Sequence, residues 1–120
     1  MRLTKINNMY YTYMIRCRDG TLYTGITTDP VRRLREHSSA GARAAKYTRT
    51  HKAAELAALW SSRDRSSASR LEYCLKSLSK SRKEQLCLDG DLSVLKGRIC
   101  CEDYTYVPAI SVITPEDNGR

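Results

Sequence analysis

Two phenols, an arginine and a histidine stand at spacings that could together build a phosphodiester-cleaving site. Tyr13 lies in the run Tyr11-Thr12-Tyr13 and Tyr23 in Tyr23-Thr24-Gly25; Asp29-Pro30-Val31-Arg32-Arg33-Leu34-Arg35-Glu36-His37 follows closely. Arg33 and His37 are four residues apart, so a helix would carry them on one face. Taken singly, each residue has a plain structural reading. Tyr13 and Tyr23 are then sheet aromatics, Arg33 part of a solvated face, and His37 a cation at a helix C-terminus. Glu72 is then an exposed partner of Lys76 at i, i+4. Only the combination points to chemistry.

The elements that must position these residues are legible in outline. Met9 to Cys17 is rich in Tyr, Thr, Met and Ile and reads as a strand, and Thr21 to Ile26 as a second. If Asp19-Gly20 alone form the connecting loop, Tyr13 and Tyr23 point to opposite sides of the sheet. A three-residue loop, Arg18-Asp19-Gly20 with a left-handed Gly20, sets Cys17 against Thr21, Ile15 against Tyr23 and Tyr13 against Gly25. That register, which is the expectation, puts both phenols on one face. Asp29 as N-cap and Pro30 at the first helical position start a helix running to about Ser38. Val31 and Leu34 face the core, with Arg33 and His37 on another face.

Residues 41–52 form a basic loop, and 53–60, Ala-Ala-Glu-Leu-Ala-Ala-Leu-Trp, favour helix by propensity. A helix begins at Ser66-Ser67 with Ala68, Leu71, Leu75 and Leu78 as its apolar stripe and ends near Lys80. The spacing Ser81-x-x-Glu84 predicts a capping box and a short helix to about Leu88. Asp89-Gly90-Asp91 is a turn. Tyr104 to Ile113 alternates in part as an added strand, although Pro108 argues against a central one.

The 120 residues suit one domain with a tail and carry a net charge of +8. Residues 1–86 hold 18 Lys+Arg against 7 Asp+Glu, whereas 87–120 hold 3 against 6, so a basic body precedes a separate acidic tail. Arg outnumbers Lys 14 to 7, which suits forked phosphate recognition. A solvated basic surface is the plainer alternative. No apolar stretch reaches the roughly 18 residues of a membrane span, and residues 1–8 lack the apolar run of a signal peptide. Met9 offers an alternative start, and a cytoplasmic protein is expected. Cys17, Cys74, Cys87, Cys100 and Cys101 are odd in number and lack paired zinc-ligand spacing, so reduced, mostly buried thiols are expected.

At Arg33 the chain resembles the GIY-YIG nuclease superfamily, closely its short, stand-alone bacterial (YhbQ-like) branch. The likeness rests on Tyr11 to Cys17, Asp19 to Asp29, Arg32-Arg33-x-x-Glu36-His37, Lys46-Tyr47-Thr48-Arg49 and Ala68-Ser69-Arg70-Leu71-Glu72-Tyr73-x-x-Lys76. Tyr11 and Thr24 replace the glycine and isoleucine of the superfamily name, and Ile26 stands where some repair nucleases carry a lysine. The resemblance implies an α+β fold, a small central three-stranded antiparallel sheet flanked by helices with a C-terminal extension. Residues 9–88 would be the nuclease domain, 1–8 an N-terminal extension and 89–120 an extension of unassigned role. It also implies a strand over 54–60, against propensity, and that strand is the expectation.

The resemblance further implies a divalent-metal-dependent endonuclease that hydrolyses DNA, with Tyr13, Tyr23, Arg33 and His37 catalytic. Glu72 would hold a single Mg²⁺ or Mn²⁺ ion. A phenol near pKa 10 is a poor base at neutral pH, but a nearby arginine and metal favour the phenolate, so Tyr23 can take a proton from the attacking water. Tyr13 can orient that water, His37 can relay or donate a proton, and Arg33 can neutralise charge on the phosphate. The nucleic-acid surface is expected at Arg32, Arg35, Arg43, Lys46, Tyr47, Arg49 and Lys52, where cations attract the backbone and Tyr47 can stack on a base or pack on the loop. No base-reading module is evident, so DNA structure rather than sequence would be recognised, in repair, recombination or DNA turnover. A non-catalytic DNA- or RNA-binding module on the same scaffold is the alternative, and a protein-interaction role for the acidic tail a third.

Overall fold

The first turn decides the sheet. In the computed structural model, which describes residues 9–39 and 53–108, strands β1 (Tyr10–Cys17) and β2 (Leu22–Thr27) are joined by Arg18-Asp19-Gly20. The Cys17 N–H donates to the Thr21 carbonyl at 2.8 Å, and Gly20 adopts φ 87°. The Asp19 carboxylate accepts from the Thr21 amide and hydroxyl at 3.1 and 2.6 Å, closing the loop from inside. The three-residue loop therefore sets the register, with Ile15 opposite Tyr23 and Tyr13 opposite Gly25.

Helix α1 (Pro30–Ser39) starts where expected: Asp29 Oδ1 accepts from the Arg32 amide at 3.1 Å. Strand β3 (Ala53–Ser62) pairs antiparallel along the whole of β1, from Tyr10 opposite Ser62 to Cys17 opposite Ala53. Its alanines and leucines favour a helix in isolation. Pairing with a central strand and burial of Ala58, Leu59 and Trp60 override that preference.

Helix α2 (Arg65–Lys76) begins one residue earlier than expected and is capped by Asp64, whose carboxylate accepts from the Ser67 amide at 2.8 Å. It also ends earlier, at Ser77 rather than near Lys80. Helix α3 (Lys80–Asp89) then begins from Ser79, whose hydroxyl accepts from the Arg82 amide at 3.3 Å. The expected Ser81–Glu84 capping box does not form. Glu84 instead takes both ends of the Arg16 guanidinium, at 2.7 and 2.8 Å, tying α3 to β1.

Among the described residues the sheet has four antiparallel strands in the order β2-β1-β3-β4, flanked by three helices. The fourth, β4 (Thr105–Tyr106), adds to the three expected and lies at the edge, just before Pro108, where a missing N–H is tolerated. β1 is central, so both its faces are buried. Met14 joins Trp60, Leu71 and Leu75 beneath α2 and α3, while Tyr13 and Ile15 join Leu59 and the half-buried Leu34 on the α1 side.

The stretch after the charge boundary is not a separate tail as far as residue 107. Short 3₁₀ turns at Leu92–Leu95 and Cys101–Asp103 lead into β4, and Leu92, Leu95 and Ile99 belong to the main core. The Trp60 indole donates to the Gly90 carbonyl at 3.1 Å, and Tyr106 packs on the indole with ring centres 5.7 Å apart. Net charge gave no sign of this, because the apolar side chains of the segment, not its charges, decide where it packs. Of the cysteines, Cys17 and Cys74 are buried, Cys87 and Cys101 half-buried, and Cys100 exposed, so burial is less complete than expected. No helix among the described residues is long and apolar enough to cross a membrane.

Candidate active site

The α1 face of the sheet assembles the expected side chains. The rings of Tyr13 and Tyr23 have centres 6.3 Å apart, and α1 lays the His37 imidazole 5.8 Å from the first and 5.3 Å from the second. Tyr13 and His37 are buried, 3% and 0% exposed, and their polar ends meet: Tyr13 Oη lies 2.9 Å from His37 Nε2. Tyr23 is half-buried and remains partly open to solvent.

Gly25 makes room for this cluster. A methyl group in place of its hydrogen would stand 2.5 Å from Tyr13 Oη, 2.7 Å from Tyr13 Cζ and 3.2 Å from Tyr23 Cε2. Gly25 sits in a strand and not in a turn, so its requirement is for space, since the phenol crosses directly over it. The sequence shows the glycine; its purpose follows only from the register.

Burial sets the charge states. Loss of solvent pushes the Tyr13 phenol up to about 12, with Tyr23 and Glu72 acting in the same direction and Arg33 against it. Burial pulls His37 down to about 4, helped by the neighbouring Arg33 charge. Both groups are therefore neutral at pH 7, and because Arg33 donates to the Tyr13 oxygen, the Tyr13 hydroxyl is assigned as the donor to His37 Nε2. His37 is thus not the solvated helix-terminal cation of the plain reading. As a neutral imidazole with Nε2 engaged, it accepts a hydrogen bond and has no proton on that nitrogen to donate.

Arg33 joins Tyr13 from the same helix. Burial works against its charge, but hydrogen bonds to Glu36 and Tyr13 more than offset this and hold the guanidinium cationic. Glu36 Oε1 lies 2.7 Å from Arg33 Nη1, and its other oxygen is 3.8 Å from Arg32 Nε. Glu36, only 17% exposed at its side chain, thus positions the arginine. The i, i+3 spacing of Arg33 and Glu36 was the available signal for that role.

Glu72 comes from α2. It pairs with Lys76 at 3.1 Å, as the plain reading expects, but its side chain is only 25% exposed, and its charge reaches the Tyr13 phenol. Among the described residues no three His, Cys, Asp or Glu side chains are grouped to hold a metal. A lone carboxylate completed by waters and substrate oxygens is nonetheless a donor set that suits Mg²⁺, and Glu72 fits it. Arg32 and Arg35 are exposed on α1. Arg43, Lys46, Tyr47, Arg49 and Lys52 lie outside the described residues.

Residues 9–85 match the family model described as the GIY-YIG catalytic domain. The chain belongs to the GIY-YIG family. It is 48% identical over 77 residues to a UPF0213 protein of Desulfotalea psychrophila, which covers 64% of this chain and 69% of that protein. A UPF0213 protein of Serratia proteamaculans is 44% identical over 92 residues, 77% of this chain and 88% of its own. The solution NMR structure of a UPF0213 protein from Bacillus halodurans is 42% identical, covers 74% of this chain and 86% of that one, and superposes with a TM-score of 0.41. None of these names states a substrate or a reaction. The GIY-YIG relatives are short proteins, and the matched region contains Tyr13, Tyr23, Arg33, His37 and Glu72.

Proposed function

We propose that this GIY-YIG protein is a divalent-metal-dependent endonuclease that hydrolyses DNA phosphodiester bonds and recognises DNA structure rather than sequence. A role in repair, recombination or DNA turnover follows from such a preference. The observation that carries the reading is the convergence of Tyr23, His37 and Arg33 on the buried Tyr13 phenol, within reach of the Glu72 charge.

The roles follow from access and charge. Tyr23 is the phenol that solvent can reach; as its phenolate it takes the proton of the attacking water while the new P–O bond forms and the P–O3′ bond breaks, the departing O3′ taking a proton from solvent. Tyr13 keeps its own proton, turned toward His37, and accepts from Arg33, fixing both neighbours and, through them, the placement of water and phosphate. Arg33, held by Glu36, faces the charge that builds on the pentacoordinate phosphate. Glu72 would hold one Mg²⁺ or Mn²⁺, which when bound supplies Lewis-acid stabilisation at the leaving oxygen. Arg32 and Arg35 supply backbone attraction beside the site.

The test is cleavage of labelled single-stranded, flapped and branched DNAs by purified protein with Mg²⁺ or Mn²⁺. Wild type should cut, and Arg33→Ala and Glu72→Ala should each lose at least about 100-fold, the usual scale for removing a charge-stabilising group. Equal cleavage by wild type and both variants would reveal contamination and end the proposal. Salt-sensitive binding that survives Glu72→Ala, with no cleavage under any divalent ion, would establish the binding-module alternative.

A further inference from the structure

Of the aromatic rings among the described residues, Tyr73 alone is exposed, at 74%. It follows Glu72 directly on α2, on the side of the helix opposite the buried Leu71 and Leu75. Arg70, Tyr73 and Ser77 fall at i, i+3 and i+7, one stripe of the helix surface. At its far end Arg98 donates to the Ser77 hydroxyl at 3.0 Å, so the segment after α3 returns a cation to this stripe. Lys76, the partner of Glu72, stands three residues after Tyr73 on the same helix. An exposed phenol with Arg70 and Lys76 at i−3 and i+3 on its own helix, and Arg98 on its stripe at Ser77, does not serve the core. It has the composition of a platform on which a base stacks while cations follow the backbone.

The contrast within the molecule sharpens this. Leu88, the other strongly exposed large apolar side chain, at 80%, neighbours Gln85 and Asp89. That surroundings suits no polyanion. Charge complementarity therefore selects Tyr73, and selects nucleic acid as its occupant.

We infer that Tyr73, with Arg70, Lys76 and Arg98, is a stacking site for an unpaired nucleotide of the substrate, outside the catalytic cluster and one residue along α2 from Glu72. The inference rests on the nuclease reading for the identity of the ligand, but it can be measured without hydrolysis. A site of this kind favours DNA with a single-stranded segment next to the scissile bond, because a base still paired in duplex cannot offer its face.

The experiment is fluorescence-anisotropy binding of the full chain, in EDTA, to oligo(dT), to the same strand with abasic positions, and to blunt duplex. Tyr73→Ala should weaken oligo(dT) binding about 5- to 100-fold, the range for removing an aromatic ring beneath a stacked base. Tyr73→Trp should restore it, Leu88→Ala should leave it unchanged, and duplex affinity should be the same in all. On the abasic strand, wild type and Tyr73→Ala should converge. Circular dichroism melting checks that each variant is folded, which a side chain this exposed allows. Equal oligo(dT) affinity of wild type and Tyr73→Ala, an equal loss on duplex, or no binding of any DNA by wild type would overturn the stacking site. Cleavage is read separately with Mg²⁺: binding without cleavage removes the hydrolytic reading and leaves the Tyr73 comparison decisive.

Discussion

Acid tests the charge state of His37 most directly. The ring is fully buried, its Nε2 accepts the Tyr13 proton at 2.9 Å, and Arg33 stands close by. Protonation would bury a charge, place it beside a cation and set donor against donor. These costs lower the pKa from 6.5 to about 4. The lowered value means that the fold favours the neutral form. Above the unfolded pKa both states are neutral and stability is complete. As the pH falls toward the folded value the unfolded chain takes the proton first, and stability drains away. The loss is about 2 kcal/mol by about pH 5 and about 3 kcal/mol by about pH 4.

Urea unfolding of wild type and His37→Gln across this window isolates the effect, because glutamine stays neutral throughout and the carboxylates are common to both. Wild type should lose about 2–3 kcal/mol more than the variant between neutral pH and about pH 4. The ring proton of His37, assigned in NMR spectra by its absence from the variant, should not shift until the pH approaches that value. Titration of the ring between about pH 6 and 7, the range of a solvated imidazole, would refute the reasoning, as would parallel acid loss in both proteins.

Three further outcomes follow. Gly25→Ala should destabilise the protein by about 1–3 kcal/mol through overpacking and should raise the His37 ring pKa as Tyr13 is displaced; an unchanged urea midpoint and unshifted ring titration would contradict the close approach at Gly25. Ending the chain at residue 88 removes Leu92, Leu95 and Ile99 from the core, at about 1.5–3 kcal/mol each. That loss is comparable to a whole domain's stability, so the truncated chain should show no cooperative melt by circular dichroism, and a sharp melt near the wild-type temperature would mean that residues 89–107 merely rest on the domain. Glu84→Gln should cost about 1 kcal/mol, because Arg16 remains partly solvated but loses a bidentate partner; a double-mutant cycle with Arg16→Met that shows no coupling would refute the link.

The sequence by itself determined what depends on a few neighbouring residues. Asp29-Pro30 starts α1, and Arg18-Asp19-Gly20 closes a three-residue turn, because caps and turns are satisfied within their own span. That turn in turn brought Tyr13 and Tyr23 onto one face, since strand side chains alternate and the register has only two outcomes. The order of the motifs also named the family. Where a distant partner competed with a local preference, local rules failed: Glu84 meets Arg16 instead of capping Ser81, and Ala53–Ser62 is a strand because β1 lies alongside it. The fate of residues 90–107 was hidden because the core that receives them is assembled from β1, β3, α2 and α3. Most telling is His37. Its position four residues after Arg33 was visible, but only packing of α1 over two phenols decided that it is buried and neutral. Charge state follows from the solvent that the whole fold removes, and no spacing in the chain records that.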